Sequence, residues 1–222
     1  MNILLVYAHD NPRSFTAAMH NTAQGVLTSA GHEVVVTDLY GVGFHSTAEK
    51  YDFTTLSGES YNYMHEQEVA AGQDWAYSPD IVEELQKVQA ADVILFHFPL
   101  WWHAPPAILK GWIDRVLTKG TAWDPEHMYS TGKYRGKAAG IAVSAGDPEN
   151  FYRSDGLHKA SVQQMLYPLL HGTLAFCGFN VLEPFVAYGM TSANEYALEE
   201  QLRAYKEKLE KLDDYPHFLY KY

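Results

Sequence analysis

The chain has 222 residues and a single cysteine, Cys177. A disulfide framework and a thiolate-rich zinc site are therefore excluded within one chain. Basic residues are also few: 16 Lys and Arg stand against 27 Asp and Glu, a net charge of −11. That balance does not suit a chain that coats nucleic acid or anionic lipid. No apolar run approaches the roughly 18 residues of a membrane span. Met1-Asn2 leads straight into ILLVYA, with no basic flank before it and no small-residue cleavage site after it. The expectation is a soluble cytoplasmic protein with no membrane span and no nucleic-acid partner. No HExxH, no GxSxG and no convincing histidine–carboxylate ligand spacing occurs, so neither a metal site nor a serine hydrolase is indicated. Repeats, low-complexity tracts and linkers are missing too. At about 150 residues per domain, the length fits one domain, residues 1–222, with embellishments.

Aromatic residues, by contrast, are plentiful: 16 Tyr, 10 Phe and 5 Trp. Residues 1–8, MNILLVYA, form a continuous apolar run that suits a strand buried on both faces. Helical spacing follows from Phe15 to about Ala30, with Gly31 as the stop. Further strands are expected at 32–39, 92–98, 137–144 and 180–188. Helices are expected at 78–88, 104–119, 162–176 (with a kink at Pro168) and 193–212. Residues 40–77 show neither period and read as an irregular insertion, a lid or a subunit contact. The aromatic tail, 214–222, is expected to pack on a neighbour. Strands alternating with helices predict an α/β fold, a parallel sheet with helices on both faces. Ligands in such folds sit at the carboxyl ends of the strands.

Three strand ends carry candidate chemistry. The first reads HDNPRSFT: a turn and then a helix N-terminus whose free N–H groups suit a phosphate, with Ser14 and Thr16 as hydroxyl donors and His9 or Arg13 as positive charge. An ordinary capped helix has the same local pattern. The third strand ends in FPLWWHAPP, where Trp101 and Trp102 either flank a planar ligand or pack under the next helix. The fourth ends in SAGDPENFYRSDGLH. Small residues there allow close backbone approach to a ligand. Tyr152 and His158 are a phenol and an imidazole suited to stabilising transient charge, or an unrelated surface pair. Cys177 reads as a small buried apolar residue.

Residues 90–117, AADVILFHFPLWWHAPPAILKGWIDRVL, together with FCGFNVLEP at 176–184 and YAH…SF at 7–15, resemble the NAD(P)H:quinone oxidoreductases of DT-diaphorase type. The resemblance runs from about residue 2 to 210 and is weakest at 40–77. It implies a flavodoxin-like three-layer sandwich, strand order 2-1-3-4-5, and a homodimer with the active site at the interface. It implies that His9, Ser14, Phe15, Thr16 and Ala18 hold the flavin nucleotide phosphates. Pro99, Leu100, Trp101, Trp102 and His103 would meet the isoalloxazine, and Ser144, Ala145, Gly146 and Asp147 would run along its other side. Tyr152 and His158 would stabilise charge at the flavin edge. Trp102, His103, Trp123, His158 and Phe176 would line the substrate pocket, Trp123 and Phe176 in the neighbouring subunit.

The implied activity is two-electron reduction of quinones by NAD(P)H, a ping-pong hydride transfer through flavin N5. Alternatives on the same scaffold are an azo- or nitro-reductase, a regulatory subunit of a potassium efflux system, or a flavodoxin-type electron carrier. Three departures stand out. Ser144-Ala145-Gly146-Asp147 replaces the family's usual Thr-Thr-Gly-Gly, and His103 replaces a phenylalanine. Leu198 occupies a place associated with a basic residue at the adenine end, with Arg203 one turn on. The 40–77 segment resembles the FAD-binding members, so FAD is the expected cofactor and FMN the alternative.

Overall fold

The computed structural model describes residues 1–213 and 218–221. Its centre is a sheet in which β1 (Asn2–Tyr7), β2 (Glu33–Asp38), β3 (Val93–Pro99), β4 (Ala138–Ser144) and β5 (Asn180–Leu182) lie in the order 2-1-3-4-5, all parallel. This is the flavodoxin-like order expected from the sequence. The apolar run of β1 serves two cores at once. Ile3 and Leu5 face one cluster, Leu4 and Val6 the other. Period-two alternation between two buried faces explains why the run is continuous rather than polar at every second residue.

One face is covered by α1 (Phe15–Ser29) and α7 (Glu195–Leu209), through Met19, Leu27, Tyr205 and Leu209. The other is covered by α3 (Pro79–Ala90) and α4 (Ala107–Val116), through Ile81, Leu85, Leu109 and Trp112. Local signals set the helix ends. Ser14 Oγ accepts from the Ala17 N–H at 3.1 Å, and Gly31 takes φ of +88° just past the helix end. Pro79 occupies the first turn of α3.

Several elements differ from expectation. Residues 40–77 are not wholly irregular: Asn62 caps α2 (Tyr63–Gly72), accepting from the His65 N–H at 3.1 Å. The α4 helix starts after both prolines, with Pro106 as its cap. The helix expected at 162–176 is broken into α5 (Val162–Met165), α6 (Tyr167–Leu169) and a π-helical turn (Leu170–Ala175), because Pro168 cannot continue the ladder. Pro184 likewise divides the fifth strand into β5 and β6 (Phe185–Ala187), which both pair with β4. The aromatic tail does not wait for a neighbour: β7 (Phe218–Tyr220) pairs antiparallel with β5 of its own chain. Residues 214–217 and 222 lie outside the described residues. Among the described residues no helix is long and apolar enough to cross a membrane.

Candidate active site

Register brings the strand ends together. Tyr7 of β1 is level with His97 of β3, and Pro99 of β3 is level with Ser144 of β4. The loops that follow these three strands therefore share one edge of the sheet.

The first loop is an ordered turn. Asn11 Oδ1 accepts from the Arg13 N–H at 2.9 Å, and His9 Nδ1 accepts from the Asn11 N–H at 3.0 Å. The same nitrogen lies 3.2 Å from Asp10 Oδ1. It cannot accept one bond and donate another while the ring is neutral, so we assign the lone pair to the Asn11 amide and the ring hydrogen to Nε2. Ala18 N–H is taken by the Ser14 carbonyl. The amides of Phe15 and Thr16 have no carbonyl one turn back within the helix. No acidic residue sits in the first turn of α1 to oppose an anion. Phe15's ring packs into the core, so this residue contributes its backbone to the loop. Thr16 is buried and its Oγ1 lies 2.7 Å from Ser144 Oγ, which ties the first loop to the start of the third across the end of β3.

The second loop is a tight reversal. Trp101 and Ala104 exchange both backbone hydrogen bonds, at 3.1 and 3.0 Å. Between them Trp102 and His103 have φ of +49° and +60°. Two successive non-glycine residues in the left-handed region are costly, and such strain collects at functional sites. Trp102 does not pack under the next helix: it is 98% exposed. Trp101 is half-exposed and meets the His9 ring edge-on, with centroids 5.8 Å apart.

The third loop supplies the polar groups. Tyr152 and His158 do meet, with ring centroids 4.6 Å apart. His103 reaches the same imidazole edge-on at 4.9 Å, joining the second loop to the third. Asp147 Oδ2 is 3.0 Å from His158 Nε2, so the carboxylate noted as a departure bonds the imidazole. Burial raises the Tyr152 phenol above its ordinary pKa, the Asp147 backbone N–H opposes this, and the Asp147 charge adds to it. The phenol is therefore protonated and a donor at neutral pH. Ala145 is held by Ala187, and Gly146 is exposed and small: a Cβ there would meet Thr191 Oγ1 at 2.9 Å.

Trp123 and Phe176 meet each other edge-on at 5.4 Å, and Phe176 meets Tyr129 at 5.3 Å. They form a cluster of their own within the chain. Tyr188 was not anticipated: it tilts against Tyr152 at 5.5 Å, and its backbone is clamped by Gln201, which donates to its carbonyl and accepts from its N–H. Beyond Tyr152 and Tyr188 a groove of about 740 Å³ runs toward α7, past Phe185, Glu200 and Gln201. No sequence motif marks it, because its walls come from elements far apart in the chain. Cys177 is buried and its thiol is pushed up to about 12 by desolvation, so it is inert packing.

A family model for the flavodoxin-like fold matches residues 1–211. The human ribosyldihydronicotinamide dehydrogenase (quinone) is 40% identical over 210 residues, covering 94% of this chain and 90% of the relative. The guinea-pig (Cavia porcellus) NAD(P)H dehydrogenase (quinone) 1 is 38% identical over 212 residues, covering 95% of this chain and 77% of the relative. A crystal structure from Klebsiella pneumoniae, assigned as a quinone reductase, superposes with a TM-score of 0.93 at 36% identity, covering 99% of this chain and 87% of that one.

Proposed function

The chain belongs to the quinone oxidoreductase family of flavodoxin-like proteins, and from that premise we propose that it is a flavin-dependent enzyme reducing quinones with a reduced nicotinamide. The observation that carries the reading is the convergence of the strained Trp101–Ala104 turn, Tyr152 and His158 at adjacent strand ends. The described residues surround one sheet, which supports a single domain with residues 40–77 as its insertion.

The donor set suits a flavin. The amides of Phe15 and Thr16 and the Ser14 hydroxyl would hold the phosphate, at a helix whose first turn carries no carboxylate. The Trp102–His103 turn and the small Ser144–Gly146 stretch would take the two sides of a flat ring. A bound flavin supplies the hydride relay between the reduced nicotinamide and the quinone. The chain's own residues place and hold. The exposed Trp102 ring offers a stacking surface for a planar substrate. Tyr152 donates a hydrogen bond where negative charge gathers, and the imidazole of His158 lies against it. We favour FAD over FMN because the 40–77 segment resembles that of the FAD-binding members.

Dimerisation is part of the reading. Trp102 has nothing over it, and an apolar cavity of about 230 Å³ opens between α4 and α5–α6, lined by Ile113, Met165, Leu166 and Leu169. A second copy would cover both and bring its Trp123 and Phe176 to the substrate. A cytoplasmic location, where reduced nicotinamides are available, completes the reading.

The test is the absorption spectrum of the purified protein, mass spectrometry of the released cofactor, and turnover with NADH, NADPH and ribosyldihydronicotinamide against quinones and azo dyes. Visible flavin bands, released FAD and quinone turnover are expected. Failure to bind any flavin overturns the proposal.

A further inference from the structure

We propose that Asp147 is a positioning residue: its carboxylate fixes His158 with a hydrogen on Nε2 and leaves Nδ1 as the nitrogen at which the ring takes up a proton and releases it when the electron acceptor is reduced. The inference rests on the quinone-reductase reading above.

The geometry is specific. Asp147 Oδ2 lies 3.0 Å from His158 Nε2. A carboxylate only accepts, so Nε2 carries the hydrogen whether the ring is neutral or charged. The free proton choice then belongs to Nδ1 alone. Both partners are held from elsewhere. The Asp147 carbonyl accepts from the Gly189 N–H at 2.8 Å, and the His158 N–H donates to the Phe151 carbonyl at 3.0 Å. The imidazole is also confined between rings, with His103 edge-on at 4.9 Å and Tyr152 tilted at 4.6 Å. An orientation fixed on two sides by rings and at one nitrogen by a carboxylate leaves the ring little freedom to flip. A carboxylate that holds an imidazole in one tautomer is a recurring way to prepare it for chemistry at its other nitrogen.

The test uses the holoenzyme labelled with ¹⁵N at the histidine rings, with the His158→Gln spectrum identifying the His158 signals. In the wild type the hydrogen is expected on Nε2. In Asp147→Asn the amide can donate to Nε2, so the hydrogen is expected to move to Nδ1. Asp147→Glu is expected to keep the wild-type tautomer. With the quinone, Asp147→Asn should lower kcat about 10-fold, within the range shown by directly coupled residues, with KM little changed. Asp147→Glu should recover part of that loss. Added to His158→Gln, Asp147→Asn should cost nothing further. Hydrogen on Nδ1 in the wild type, or an Asp147→Asn protein that keeps the wild-type tautomer or the wild-type kcat, overturns the proposal. If the quinone-reductase reading itself is wrong, the wild type turns over no quinone, while the ring spectra still decide whether Asp147 sets the tautomer.

Discussion

Thr16 Oγ1 and Ser144 Oγ stand 2.7 Å apart, joining the helix that begins after β1 to the end of β4 with β3 between them. The bond keeps the proposed phosphate loop at a set separation from the stretch that begins at Ser144, beside the proposed flavin ring. Thr16→Val retains the shape and removes the hydroxyl, leaving Ser144 to find another partner. We expect a loss of about 1 kcal/mol in stability, the usual net value of one hydrogen bond. Flavin affinity should fall as well, because the loop spacing is no longer held. Urea unfolding and flavin-fluorescence titration measure the two effects separately.

Trp102 illustrates a conflict between stability and function. Its φ of +49° suits glycine, yet a tryptophan with 98% exposure stands there. Trp102→Gly should relieve backbone strain and raise the melting temperature, by the equivalent of about 1 kcal/mol. Quinone turnover should fall because the stacking surface is gone. A variant that lost stability and kept its activity would remove Trp102 from the site.

Residues 40–77 are anchored by charge as well as by apolar contact. Arg115 of α4 bonds Asp52 Oδ1 at 2.8 Å, Asp80 Oδ2 at 2.6 Å and the His45 carbonyl at 2.7 Å. Asp52 and Arg115 are both buried, and Tyr63 donates to Asp52 at 2.7 Å. Arg115→Met would leave Asp52 without its cation. We expect a loss of about 3–5 kcal/mol, the range seen when one partner of a buried pair is removed. Thermal unfolding gives the measure, and a change below about 1 kcal/mol would mean the network is dispensable.

That anchor also explains what was legible in the sequence. Val6, Phe96 and Val143 lie in apolar runs that announce buried strands without help from elsewhere. Asp52 and Arg115 are separated by 63 residues, and nothing in either segment points to the other. The packing of Ser46 on α4 is equally hidden: a Cβ on Gly111 would meet the Ser46 carbonyl oxygen at 2.1 Å, a constraint visible only once both backbones are placed. Pro168 is readable as an interruption, but that the chain resumes as a π turn depends on tertiary contacts, and the break at Pro184 within the strand expected at 180–188 goes unread. At the candidate site, the strand-end rule points to Tyr152 and His158, whose rings the structure brings together. The Asp147 contact and the Tyr188 neighbour required loop geometry that spacing does not supply.

Tyr152 and His158 should separate binding from chemistry. Tyr152→Phe removes a hydroxyl donor and keeps the ring that packs against Tyr188. His158→Gln removes the imidazole. Both variants should retain flavin, because the phosphate loop and the 101–104 turn are untouched. Each should slow flavin reduction by the nicotinamide by about 10²-fold, the lower end for a positioned proton donor. Stopped-flow absorbance at the flavin band reads the rate directly, and unchanged rates in both would remove this role.

Acid should destabilise the fold through a buried histidine that the site does not use. His97 on β3 is fully enclosed, and its Nε2 lies 2.8 Å from the Tyr205 hydroxyl of α7. Burial holds the Tyr205 phenol protonated, so it donates and the imidazole accepts in its neutral form. Burial, with His20 acting in the same direction and the Leu95 backbone opposing, pushes the His97 pKa down to about 3. His20 is lowered in the same direction by burial, against the pull of Asp38. The unfolded chain takes up a proton at His97 near its ordinary pKa of about 6.5 and the folded chain does not. Stability from this group is therefore complete above about pH 6.5 and is lost as pH falls toward 3, at about 1.4 kcal/mol per pH unit. His97→Gln can still accept from Tyr205 and cannot be protonated. Between pH 7 and pH 5 the variant should lose about 2 kcal/mol less than the wild type in urea unfolding. Equal losses in the two proteins would place the acid sensitivity elsewhere.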